Sequence, residues 1–259
     1  MRLTAVETLG LRTVSLVAHL GRIAHFIGQI ALDSVRPPFR FQRLVGEVFD
    51  VGVLSLAIIC LSGATVGAVL GLQGYTTLSR FGATNSLGAV VGLSLVRELG
   101  PVLTALLVTG RAGSAMAAEI ASMVTTEQLD GLRMMSIDPV DFIVKPKALA
   151  MLLVMPMLNA LFICLGLFGG YVVGVELLGL DGGTYISSME NAITWSDDVA
   201  GTLLKSMIFG ALVGFIATYR GYTAEPTSAG VSAATTGTVV VGSVTVLLFD
   251  YVITALWGV

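Results

Sequence analysis

No charged residue occurs between Val51 and Ser79. At 1.5 Å per residue a helix of that length runs about 43 Å, well beyond the ~30 Å of a bilayer's hydrocarbon core. Such a run buries itself in lipid, and there every backbone N–H and C=O must be paired within the segment or in a closed barrel. A barrel would show alternating segments of about ten residues, a pattern missing here. The run is one of several. With 55% hydrophobic and 12% charged residues, and a mean hydropathy of +0.89, the chain lies far from soluble domains, where about a quarter of residues are charged. The expected fold is all-α and polytopic, a single membrane domain with five transmembrane helices.

The spans are expected at 51–79, 86–110, 148–175, 199–219 and 233–257. The first is too long for one perpendicular crossing, so it tilts, breaks or continues along the interface. It carries a ridge of Gly63, Gly67 and Gly71, with Gly74 beyond, and Gly166, Gly170 and Gly174 form a similar face on the third span. Small-residue ridges let helix backbones approach closely, either within the subunit or between subunits. Pro156 is expected to bend the third span. Before the first span, polar residues recur every three or four positions from Thr4 to Arg36, opposite Leu9, Leu16, Leu20, Ile23 and Ile27. This reads as an interfacial amphipathic helix within 1–45 rather than a signal peptide, because Arg2, Glu7 and Arg12 interrupt any apolar core. His19 and His25 sit six residues apart and do not share a helix face, so no metal site is read there. Cys60 and Cys164 lie in apolar runs as small hydrophobes.

The stretch from Ser86 to Asp138 is the unusual one. Its apolar helix contains Arg97 and Glu98, and a charge at mid-membrane costs about 2.5–3.5 kcal/mol on insertion scales. Pro101 follows four residues after Arg97, so the carbonyl of Arg97 loses its helical donor and the helix should kink beside its own charges. Beyond Arg111 an amphipathic segment, 112–138, carries Glu119, Met123, Glu127, Asp130 and Arg133, and ends at Pro139. Two more charges, Lys205 and Asp250, lie inside the fourth and fifth spans. Counted from the outer ends at ~1.5 Å per residue, Arg97 is about 17 Å deep, Asp250 about 10 Å and Lys205 about 9 Å. Arg97 and Glu98 point about 100° apart and do not satisfy each other, so Lys205–Asp250 and Arg97 or Glu98 are expected to pair across helices. They either fix helix registration or line a pathway for a polar headgroup.

Orientation follows from basic residues. Six arginines precede the first span, Arg111, Arg133, Lys145 and Lys147 lie between spans two and three, and Arg220 follows span four; the opposite side has only Arg80. That bias places the N-terminus and the 112–138 segment inside, the C-terminus and the acidic 176–198 segment outside. Residues 185–193 of that outer segment read as a short surface helix. None of the three lysines follows a glycine, so no phosphate-binding loop exists, and no HExxH or nucleophile elbow appears. Basic residues form no nucleic-acid face. A transporter subunit gripped by a separate motor, an ion-coupled carrier using Glu98 and Asp250, and a membrane scaffold all fit; the odd span number and lack of a visible repeat count against the carrier.

Several strings bear on that choice: DVGVLS at 50–55, GLQGY at 71–75, SLVRELGPV at 94–102, GRAGSA at 110–115, TEQL at 126–129 and PTSAG at 226–230. Over essentially its whole length the chain resembles the MlaE family, permeases of the ABC transporters that maintain lipid asymmetry in Gram-negative bacteria. The resemblance implies an inner-membrane homodimer that binds cytoplasmic ABC ATPase subunits, a STAS-domain subunit and a hexameric periplasmic ring of MCE-domain subunits, and moves phospholipid. ATP and magnesium would be bound by the partner ATPase, with no cofactor or catalysis in this chain. It further implies a coupling helix around Glu119, Met123, Glu127, Asp130 and Arg133, and a lipid cavity at the dimer axis lined by Leu70, Gly74, Leu78 and Phe81. One known family member has a tyrosine at the position of Phe81, so the aromatic surface is kept here and the hydroxyl is not.

Overall fold

The computed structural model describes residues 41–257 and, before them, Val14, Val17, Ala18, Gly21, Ala24, Phe26 and Gly28. The expected interfacial helix lies largely, and both histidines wholly, outside the described residues. Ten α-helices are named here in order: α1 (Phe41–Gly52), α2 (Leu56–Ser79), α3 (Leu87–Ser94), α4 (Gly100–Val108), α5 (Ser114–Thr125), α6 (Gln128–Met134), α7 (Lys145–Tyr171), α8 (Gly182–Ala192), α9 (Ala200–Tyr222) and α10 (Ser228–Trp257). Five helical stretches are long and apolar enough to cross a membrane: Phe41–Ser79, Thr84–Thr125, Val140–Leu177, Trp195–Tyr222 and Ser228–Leu256. Their number matches the sequence reading. Each begins further out than the apolar run read from the sequence.

The first run breaks. A tight 3₁₀ turn at Val53–Ser55 separates α1 from α2. The turn lies at the start of the apolar run, just after Asp50, and two side chains donate to the carbonyls around it. The Ser55 hydroxyl donates to the carbonyl of Val51 at 2.5 Å. Arg111, from the second span, donates to the carbonyl of Asp50 and to Ser55 Oγ, the latter at 3.1 Å.

The glycine ridge resolves as packing inside the chain. A Cβ built on Gly63 would stand 2.7 Å from the carbonyl oxygen of Phe162, one on Gly71 3.1 Å from that of Gly170, and one on Gly67 would overlap the carbonyl of Gly166. The ridges of α2 and α7 therefore press backbone to backbone, with Gly166, Gly169 and Gly170 answering from the other side. Gly74, the end of the ridge, meets Leu87 instead, at 2.6 Å from the added Cβ.

The second span runs unbroken from α3 to α5 but is not uniform. Wider π turns occupy Leu95–Leu99, inside the SLVRELGPV string, and Thr109–Gly113, which overlaps the GRAGSA string. Pro101 accounts for the first: with no N–H to give the Arg97 carbonyl, the ladder reopens as an i→i+5 bond from Gly100 N to Leu95 O. The 112–138 stretch, read as one segment, divides. Residues up to Thr125 continue the second span, burying Met116, Ala117, Ile120 and Ala121. A left-handed Glu127 (φ 57°) then turns the chain into the short α6. At the opposite end, α8 lies across α3, where Gly88 and Gly92 leave room for Tyr185 and Met189. Tyr185 is 3% exposed and meets Tyr171 edge-on at 5.8 Å.

Candidate functional site

Lys205 gathers the intramembrane charges. Its ammonium donates to Thr254 Oγ1 (2.8 Å), to Glu98 Oε1 (3.0 Å) and to the carbonyl of Arg97 (3.0 Å), with Asp250 Oδ1 at 3.5 Å. The Arg97 carbonyl is the one that Pro101 leaves without a helical donor. Span four thus repairs a backbone defect in span two, and the same nitrogen neutralises carboxylates from spans two and five. The expected Lys205–Asp250 pairing is present, with Glu98 sharing the cation.

Arg97 turns to a different partner. Its Nε donates to Asp198 Oδ1 at 2.6 Å, and the second carboxylate oxygen accepts the backbone N–H of Thr194 at 2.7 Å. Asp198 is 5% exposed, so the pair is desolvated on the acid side, while Arg97 keeps a third of its side chain open. The sequence reading assigns Asp198 to the outer segment, one residue before span four. The available signal was its position two helical turns from Lys205, on a span already carrying a charge. Arg97, Glu98, Asp197, Asp198, Lys205 and Thr254 line a half-open cleft of about 30 Å³, enough for one or two waters. Two cations here, Arg97 and Lys205, contact three carboxylates.

A second polar cluster lies at the other end of the bundle. Lys147, 3% exposed, bridges Glu47 of α1 (2.8 Å) and Glu119 of α5 (2.7 Å). Glu119, expected on the coupling helix, is tied by this pair to the third span, with half of its side chain exposed. Nearby, the Arg43 guanidinium stacks over Phe142 at 3.6 Å and donates to its carbonyl. Met123 is half-buried against the core. Only Glu127, Asp130 and Arg133 of the expected set lie at or on the exposed α6, where Met134 and the following Met135 are 88% and 70% exposed. Arg133 binds Asp130 at 2.6 Å and reaches Tyr222, the last residue of α9, donating to its hydroxyl at 2.8 Å.

The expected lipid-cavity residues do not form one surface within the chain. Leu70 and Leu78 are half-buried against the core, Gly74 faces α3, and Phe81 is 80% exposed at the end of span one. Among the described residues no three of His, Cys, Asp and Glu converge as metal ligands.

The model of the family described as Permease MlaE matches residues 44–256, which takes in all five spans and both charge clusters. The chain belongs to the MlaE permease family. Among its MlaE-family relatives, the intermembrane phospholipid transport system permease protein MlaE of Haemophilus influenzae is 44% identical over 251 residues, covering 97% of this chain and 96% of that protein. A probable ABC transporter permease protein of Rickettsia bellii is 38% identical over 257 residues, 99% of both chains. The chloroplastic protein TRIGALACTOSYLDIACYLGLYCEROL 1 of Arabidopsis thaliana is 30% identical over 229 residues, 88% of this chain and 65% of its own. This is a permease family rather than a catalytic one, and the chain is a multi-pass member of it.

Proposed function

We propose that this chain is the transmembrane permease subunit of an ABC transporter, moving phospholipids between the inner membrane and periplasmic carriers to maintain outer-membrane lipid asymmetry. MlaE-family membership over five apolar spans carries the reading. The basic residues put the N-terminus and α6 in the cytoplasm and the C-terminus outside. ATP and magnesium then belong to partner ATPase subunits, which engage the exposed α6 through Glu127, Asp130 and Arg133. A STAS-domain subunit joins them, and a hexameric MCE-domain ring stands over the periplasmic face. Two copies of the chain pair: only 22% of the most apolar stretch of span one and 11% of that of span five are buried within a single copy. Lipid occupies the cavity between the copies, near Leu70, Gly74, Leu78 and Phe81.

The ion cluster supports a headgroup role for one residue in particular. Lys205 spends its three protons on Thr254, Glu98 and the Arg97 carbonyl. Arg97 uses only Nε, and its two terminal nitrogens have no partner among the described residues. A guanidinium with two free N–H faces binds a phosphate in bidentate fashion.

Purification in mild detergent, with mass spectrometry of bound proteins and lipids, tests the reading on the wild type and on Glu127→Lys. An ATPase and phospholipid should accompany the wild type, and the ATPase should be lost from the variant. A chain that purifies alone, poor in lipid and indifferent to the substitution, overturns it in favour of an ion-coupled carrier or a scaffold.

A further inference from the structure

We propose that α9 is a rigid lever between α6 and the ion cluster, and that the Arg133–Tyr222 contact is the joint through which α6 moves it. The proposal rests on α6 being the helix that the ATPase engages.

The joint is built from both sides. α6 stands between two non-glycine residues in left-handed conformation, Glu127 (φ 57°) and Ser136 (φ 58°). Such residues are strained and occur where the chain turns sharply, which marks α6 as a segment set off from the helices around it. Leu129 is its one buried side chain. Arg133 supplies the polar attachment: held by Asp130 at 2.6 Å, it donates to the Tyr222 hydroxyl at 2.8 Å with its guanidinium 6.0 Å from the ring centre. The Tyr222 ring also packs on Phe26, at 5.5 Å between centroids. The end of span four is thus held by α6 and by Phe26.

The lever is the helix itself. α9 contains no proline and stays regular from Ala200 to Tyr222. Lys205 and Tyr222 are seventeen residues apart, or about 25 Å along the axis. Gly210 and Gly214 seat α9 closely against Met151 and Met155 of α7, with no side chain of their own to lock the two helices in register. At the far end Lys205 holds the Arg97 carbonyl at 3.0 Å. Displacing α9 along its axis pulls Lys205 away from that carbonyl, and once the contact is lost the π turn of span two is freed. Force on α6 therefore has a path to the outer cleft separate from the direct continuation of α6 into α5.

The test uses the whole transporter reconstituted in phospholipid vesicles carrying a fluorescent phospholipid, with ATP hydrolysed and lipid moved measured together. The variants are Tyr222→Phe, which removes one hydroxyl from the joint, Arg133→Ala, and the two combined, with Arg133→Lys to restore a donor. Lipid moved per ATP should fall roughly threefold to tenfold in each single variant, no further in the double, and recover at least half in Arg133→Lys. A ratio for Tyr222→Phe equal to wild type, or single effects that multiply in the double variant, overturns the lever. ATP hydrolysis without lipid movement in the wild type overturns the permease reading instead, so the two failures are distinct.

Discussion

Replacing Lys205 with methionine removes the hub of the ion cluster while keeping most of the side chain's volume. Glu98 and Asp250 lose their shared cation, and the Arg97 carbonyl loses its donor. Removing one partner of a buried ion pair costs about 3–5 kcal/mol, and an orphaned carbonyl about 1–3 kcal/mol. The Glu98 side chain is 40% exposed and that of Asp250 19%, so solvent at the cleft softens the first figure. A net loss of about 4 kcal/mol is expected, which for a protein of this size lowers the unfolding midpoint by roughly 8–16 °C. Circular dichroism at the helix band, followed on heating in detergent, reads the shift. The companion variant Lys205→Met with Glu98→Gln and Asp250→Asn removes the two uncompensated charges and gives the carbonyl a nearby amide donor; it should recover more than half the loss. If Lys205→Met melts within about 3 °C of wild type, or if neutralising both acids brings nothing back, then the charges are not held by Lys205 and the account of Pro101 fails with them.

Other perturbations follow from the packing and from α8. Gly67→Ala puts a methyl onto the Gly166 carbonyl, so α2 and α7 must separate; a drop in midpoint larger than that of Gly28→Ala or Gly46→Ala, where the added Cβ meets nothing, checks this in the same melt. Tyr185 has a buried hydroxyl with no partner among the described residues, and burial pushes its pKa up to about 12. Tyr185→Phe should therefore leave stability unchanged or raise it by up to about 1 kcal/mol, and a clear loss in the melt counts against that packing. Asp181 caps α8 by accepting from the backbone N–H (2.7 Å) and the hydroxyl (2.9 Å) of Thr184, and these bonds hold its carboxyl below the usual 3.8. A depressed folded-state pKa means the cap's contribution is complete above about pH 4 and disappears as pH falls through the folded value. Amide-exchange protection at the start of α8, measured against the intrinsic rate at each pH, should drop only in that acid window, and Asp181→Asn should abolish the drop.

Much of the architecture is legible in the sequence because it depends on local terms. Apolar run length gives the five spans, and Pro101 four residues after Arg97 gives the distortion of span two. Partners are another matter. Asp198 and Arg97 are 101 residues apart, and Glu47 and Lys147 are 100 apart. A single sequence carries no local trace of such contacts. Glu119 reads only as an acid on an amphipathic segment because its neutralising lysine lies on another helix. The glycine ridge of span one announces a close approach without naming the partner, and Arg111 reads as the end of a span although it caps the break in another.

The contact between Lys205 and the Arg97 carbonyl also bears on the order in which the chain is assembled. Spans emerge and insert from the N-terminal side, so span two reaches the bilayer with an open carbonyl and two charges before span four exists. Asp198, Lys205, Asp250 and Thr254 all belong to segments made later. Until they arrive, the middle of span two is at home only beside water or a helper protein. The newborn permease is thus a half-built polar core awaiting its C-terminal half.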